Sequence, residues 1–381
     1  MQTGNDNVKS YLNLKLYEKI ECLRNNGYYY DVEHSKIDVE ELLKKYEVLI
    51  EDAEPSKEIP NLTPVKAYFI EGHKEFIISY SLFMSDKVFS VYRNPESLAD
   101  LKSGLFDHQG KDINFYDCFV ANIILSAKFL NEHNYNAKVR VYLAENLHPL
   151  FDVLCEHGIE VFVIRESESK PNKNRADYWR FLAYGDDTAD YTICYDSDAE
   201  LSHNIIRLVK LAFGGGADFF TEMSANNWNN CIDGDNFFSF TYVHGGLNAM
   251  RNKSDFFQKY KIGDLIIAYH LISAVSGFGE VLLYPVPGKD QKDCAVRLGS
   301  YSTGLRSLTE YCGDQCFLSS VLFFWFAERG KFALYQHRNA PIVPAGYHLF
   351  YSYPYLKFIN RLGNKIIDNS GRDTSADFLP E

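Results

Sequence analysis

The stretch DYTICYDSDAEL, residues 190–201, decides how the rest of the chain is read. Residues 191–195 are a short run of β-forming side chains, and the run ends on two aspartates one residue apart, Asp196 and Asp198. In an extended segment, residues i and i+2 point the same way, so both carboxylates fall on one side of the chain. Carboxylates held together repel unless a cation or a shared proton relieves them. The pattern predicts a buried strand whose carboxyl end carries a paired-acid site.

Upstream, apolar runs predict strands at 75–83 (EFIISYSLF), 138–144 (KVRVYLA) and 159–165 (IEVFVIR). Between them, NFYDCFVANIILSAKFLNEHN (114–134), HPLFDVLCEHG (148–158, closed by Gly158) and NRADYWRFLAYG (174–185) predict helices. Strands alternating with helices give βαβ units, hence an α/β fold with a mostly parallel, Rossmann-like central sheet flanked by helices. Ligands of such sheets bind beyond the carboxyl ends of the strands, where Asp196 and Asp198 stand. Downstream, helix is expected at 203–216, within 255–275 and over 313–327, and strand at 217–223.

The flanks read differently. Helical spacing at 8–25 and 38–52, the second capped by Asp38, precedes EPSKEIPNLTP (54–64), whose three prolines break any helix. Residues 1–64 are therefore expected to be a helical N-terminal extension and linker, packed on the body or forming a homodimer contact. Residues 65–360 form the main domain, and 361–381 a polar C-terminal tail.

The 381 residues are 46% hydrophobic and 24% charged, enough apolar mass for a large core. A net charge of −12 argues against a nucleic-acid partner. No apolar run is long enough to span a bilayer. The eight scattered cysteines lack zinc spacing and are expected to be reduced, in a cytoplasmic setting.

A hard divalent ion, Mn2+ or Mg2+, relieves two carboxylates best; it takes one or two of them and completes its shell with water and phosphate oxygens. A strand-end acidic pair is therefore suited to gripping a diphosphate. A calcium loop fits worse, since Leu201 and Arg207 stand where that loop needs Gly and Glu. A haloacid-dehalogenase-like phosphohydrolase would use Asp196 as nucleophile, but there Thr or Val, not Glu200, usually follows the pair.

The segment ADYWRFLAYGDDTADYTICYDSDAEL resembles the core of GT-A fold glycosyltransferases, which carry a DxD motif and use a nucleotide-sugar donor with a divalent metal. HGGLNAMR (244–251) is similar to their acceptor-side strand and glycine turn, and GDQCFL (313–318) to the Gly-Asp-Gln motif of glycogenin-like enzymes. The resemblance covers about residues 74–350. It implies a transferase moving a sugar from a nucleoside-diphosphate donor, UDP-linked by preference, to a glycan or other hydroxyl acceptor, with retention favoured, as in polysaccharide biosynthesis. It implies Asp196, Asp198 and His337 as metal ligands, with His348 second to His337. Ser79, Tyr80 and Ser81 would lie near the nucleobase and ribose, with Tyr80 stacking on the base. Arg175, Asp177 and Arg180 would lie near the diphosphate, and Gly245 and Gly246 against the sugar. Asp314 and Gln315 would be catalytic, Asp314 as base or as a group positioning hydroxyls. The competing expectations are the phosphohydrolase and a non-catalytic sugar-binding protein on the same fold.

Overall fold

The structure is a computed structural model that describes residues 28–29, 36–52, 62–84, 86–92, 95–108, 110–165, 176–223, 243, 245–275, 284–285, 308, 313–336, 359–368 and 370–374. The predicted helix at 8–25, Arg175, His337 and His348 lie outside the described residues.

One nine-stranded sheet organises the chain. Its strands are β1 (Pro64–Tyr68), β2 (Lys74–Leu82), β3 (Ala137–Ala144), β4 (Glu160–Ile164), β5 (Ala189–Tyr195), β6 (Phe219–Met223), β7 (Leu247–Arg251), β8 (Phe332–Gln336) and β9 (Lys365–Ile367). Across the sheet they run β9-β8-β6-β7-β5-β2-β3-β4-β1. β4, β3, β2 and β5 are mutually parallel, as are β6, β8 and β9; β1 and β7 run against their neighbours. The expected α/β class with a mostly parallel central sheet is what forms.

The order has a functional consequence. From β2 the chain winds outward through β3 to β4, then returns to place β5 on the other side of β2. The direction of winding therefore reverses between β2 and β5, which opens a crevice at their carboxyl ends. Ser81 and Leu82 end β2, and Asp196 follows β5 directly, so both border that crevice.

Apolar faces explain the layers. Phe76, Ile77, Ile78 and Tyr80 of β2 are fully buried, as expected of a central strand covered on both faces. Helices α1 (Val39–Asp52), α2 (116–132), α3 (Leu150–Glu156), α4 (His203–Gly214), α5 (Ile262–Val275) and α6 (313–327) supply the cover. Gly158 ends the turn after α3 with φ +67°, the conformation for which it was read as a helix stop. Two helices contain widened π turns, Tyr116–Val120 in α2 and Leu318–Phe323 in α6.

One expectation is corrected, and two are made specific. Residues 174–185 do not make an α-helix in their described part; Asp177–Ala183 is a 3₁₀ turn. Strand hydroxyls hold it there: Ser79 Oγ donates to Arg180 O (2.8 Å), and Ser81 Oγ donates to Asp177 O (3.0 Å) and accepts from Arg180 N (2.9 Å). The polar tail contributes to the sheet: Lys365–Ile367 forms the edge strand β9 with Ile366 and Ile367 buried, and Thr374 N closes back on Ile366 O (2.7 Å). The N-terminal extension contributes a helix to the body. Asp38 Oδ1 caps α1 by accepting from Glu40 N and Glu41 N, both at 2.9 Å, while Val39 and Leu42 are buried in the common core. Ile37 N donates to Ser320 O (2.9 Å), a carbonyl within the π turn of α6. Among the described residues no helix is long and apolar enough to cross a membrane.

Candidate functional site

Arg180 is the centre of the crevice. A 3₁₀ turn has three residues per turn, so Asp177 and Arg180 lie on one edge of it. The Arg180 side chain is only 5% exposed, yet it makes two ion pairs. Nη1 donates to Asp196 Oδ1 (2.6 Å) and to Tyr195 O (3.3 Å), and Nη2 donates to Asp314 Oδ2 (3.0 Å). Its Nε has no hydrogen-bond partner among the described residues. Burial opposes the guanidinium charge, but Asp196, Asp314 and Asp177 together raise its pKa beyond the usual arginine value. Arg180 therefore stays charged at any pH at which the protein folds.

Each acid in the crevice has its own environment. Asp196 is pinned from both sides, because its N–H donates to Gly246 O (3.1 Å) while its carboxylate, 42% exposed, holds Arg180. Asp198 lies in the following turn, and its Oδ2 is 3.1 Å from His108 Nε2. Partial burial and then the charge of Asp196 push the Asp198 carboxyl above its ordinary value, and His108 pulls it back. Asp314 opens α6, is buried, and is pushed up to about 6, first by burial and next by the charge of Asp177; Arg180 opposes the rise.

The glycine turn meets the head of α6. A Cβ on Gly245 would come within 2.7 Å of Asp314 Oδ2 and 2.9 Å of Gln315 Cγ, so only hydrogen fits there. The close approach expected of this glycine is made to protein side chains, and it locks the turn before β7 against Asp314 and Gln315. Gly245 O also accepts from Asn248 Nδ2 (2.8 Å).

The structure thus brings Asp177, Arg180, Asp196, Asp198, Gly245, Gly246, Asp314 and Gln315 to one rim. Ser79 and Ser81 lie beneath it, their hydroxyls committed to the 3₁₀ turn rather than to a ligand. Tyr80 does not join them. It points to the opposite face of β2, is fully buried, donates to Ser126 Oγ of α2 (2.9 Å), and offers no surface for base stacking. Burial raises its phenol pKa far above the ordinary value.

One residue was not singled out from sequence. His108 ends the first strand of a small hairpin, Phe106–His108 with Lys111–Ile113, ahead of α2. Its only local signal is the turn-forming sequence DHQG at 107–110. Of the described cysteines, Cys118, Cys155 and Cys194 are free thiols; burial lifts Cys118 and Cys194 to about 12, which leaves them unreactive.

Among the described residues, no group of three or more His, Cys, Asp or Glu side chains is placed to hold a metal ion alone. Asp196 and Asp198 carry hard carboxylate oxygens, the ligand type that Mg2+ and Mn2+ take. No protein-family model matches the chain, and no curated protein matches it.

Proposed function

We propose that this protein is a metal-dependent GT-A type glycosyltransferase, moving a sugar from a nucleoside-diphosphate donor to a hydroxyl acceptor. The observation that carries this reading is convergence. Four segments far apart in sequence, 177–180, 196–198, 245–246 and 314–315, meet where the winding of a parallel sheet reverses. Open α/β sheets bind their ligands at that place.

The chain's own groups fit the roles. Asp196 and Asp198 would hold Mn2+ or Mg2+, which would supply charge stabilisation for the departing diphosphate. Arg180 already pairs with both Asp196 and Asp314, and its unmet Nε leaves it a donor to spend when a phosphate oxygen enters. Asp314, with its pKa raised towards neutrality, is suited to accept a proton from an acceptor hydroxyl or to fix sugar hydroxyls alongside Gln315.

The test is thermal melting with UDP-, GDP- and dTDP-sugars, each with and without Mn2+. A melting shift that needs both nucleotide and metal is expected, because only a ligand that binds the native state raises its stability. Asp198→Ala should abolish that shift and all transfer. Full turnover of Asp198→Ala in EDTA would end the proposal. Trapping of a phosphoenzyme on Asp196 with beryllium fluoride would replace it with the phosphohydrolase, and glycan binding indifferent to metal would replace it with a sugar-binding protein.

A further inference from the structure

The two acids of the pair differ in what holds them. Asp196 is fixed by Arg180 and by its backbone bond to Gly246. Asp198 lies beyond the strand, in a turn closed by Ala199 N donating to Asp196 O (3.2 Å) and Tyr195 Oη donating to Glu200 O (3.1 Å). Those bonds shape the turn without touching the Asp198 carboxylate. His108 touches it, from a hairpin that no motif links to the acidic pair.

The imidazole is itself held in place. Its ring stands edge-on to Phe106 (6.2 Å between centroids, 73°) and to Phe119 (5.7 Å, 77°), and those two phenyl rings stack on each other (5.9 Å, 7°). Phe119 comes from the widened turn of α2, and such turns recur at functional sites. An aromatic box that fixes a histidine which in turn grips a carboxylate is more construction than a chance surface pair needs. A surface histidine–aspartate contact between mobile side chains contributes little.

Resting on the metal-dependent reading above, we propose that His108 is the positioning residue for Asp198. Its Nε2–H holds Oδ2 and fixes the plane of the carboxylate that receives the cation. Groups that orient a ligating carboxylate in this way typically account for about 10–100-fold in metal affinity. The role requires the tautomer protonated at Nε2, and it requires a donor; it does not require an imidazole.

That distinction supplies the experiment. Mn2+ affinity is measured by titration calorimetry in saturating UDP, with GDP and dTDP in parallel, for the wild type, His108→Phe and His108→Gln. Phenylalanine keeps the ring packing and removes the donor, so Mn2+ binding should weaken about 10–100-fold while melting without ligand stays near wild type. Glutamine loses the ring but offers an amide donor, and should recover most of the affinity. Wild-type affinity in His108→Phe overturns the proposal and leaves the metal-dependent reading intact. Affinity in His108→Gln as poor as in His108→Phe overturns it too, since packing rather than donation would then be at work. Absence of metal-dependent nucleotide binding in the wild type overturns both.

Discussion

The two ends of the central sheet both bury arginine against carboxylate, with different outcomes. At the amino ends of the parallel strands, Lys138 and Arg140 of β3 face Glu160 of β4 and Asp186 in the turn before β5. Glu160 Oε1 accepts from Lys138 Nζ (2.8 Å) and Ile70 N (3.0 Å), and Oε2 from Arg140 Nε (2.8 Å). Arg140 Nη1 reaches Asp186 Oδ2 (2.5 Å), and Lys138 Nζ reaches Thr188 Oγ1 (3.0 Å). Two cations meet two anions, and the network is closed. At the carboxyl ends, one guanidinium faces Asp196 and Asp314 within hydrogen-bonding distance, with Asp177 close enough to raise its pKa and Asp198 beyond. The first end is balanced scaffold. Among the described residues, the second carries more carboxylates than cations at a sheet crevice, which fits a site completed by a cation.

If the amino end is scaffold, breaking it should cost stability and nothing else. Glu160→Ala leaves Lys138 short of one partner and Arg140 short of another in a fully buried place. A loss of about 3–5 kcal/mol is expected by chemical denaturation. The folded fraction should still show the melting shift with nucleotide and Mn2+. A stable Glu160→Ala protein that has lost the shift would move the functional centre to the wrong end of the sheet and break the comparison.

At the other end, removing a charge should have the opposite sign. The Asp314 carboxyl is raised in the folded state, to about 6 against an ordinary 3.8. The native state therefore holds its proton more tightly than the unfolded chain. Stability from this group is present below about pH 4 and falls away as pH rises through about 6. Asp314→Asn keeps the group's shape and an acceptor for Arg180 while removing the charge. It should match wild type near pH 4 and exceed it by about 2–3 kcal/mol at pH 7, while the proposed transfer is lost. A variant less stable than wild type at pH 7 would show that the Arg180–Asp314 ion pair outweighs burial, and the crevice would then be scaffold as well.

What the sequence made legible follows the range of the interactions involved. The β5 run, the alternation of strand and helix, the Asp38 cap and the Gly158 stop are local patterns, and each was readable; the extended geometry expected of Asp196 and Asp198 was not met, because the chain turns after β5 and gives the two acids different partners. The 3₁₀ turn at Asp177–Ala183 was not, because hydroxyls of β2 from far up the chain impose it on residues whose spacing also suits an α-helix. Tyr80 was grouped with Ser79 and Ser81, although the two-residue period of a strand separates it from them. The pairing of His108 with Asp198 joins a three-residue strand to a distant turn, and neither segment carries a periodic signal for the other. The edge strand Lys365–Ile367 was hidden because three residues are too few to show alternation.

The smallest expected effect tests the joint between the glycine turn and α6. In Gly245→Ala the new methyl would meet Asp314 Oδ2 at 2.7 Å and Gln315 Cγ at 2.9 Å, and Gln315 Nε2 at 3.3 Å. Gln315 is only partly buried and can swing away, but Asp314 is tied to Arg180 and cannot move without stretching that pair. The strain should cost about 1–2 kcal/mol by denaturation, within the usual range for an inserted methyl group. Its functional signature should exceed its cost in stability, because a displaced Asp314 would change the geometry at which the proposed acceptor hydroxyl is met. A fall in kcat of about tenfold or more, with nucleotide-plus-Mn2+ binding near wild type, is expected, since small misplacements cost rate more than affinity. An equal loss of stability at unchanged kcat would mean that the glycine turn and Asp314 share packing but not chemistry. The carboxylates at this end would then belong to donor binding alone.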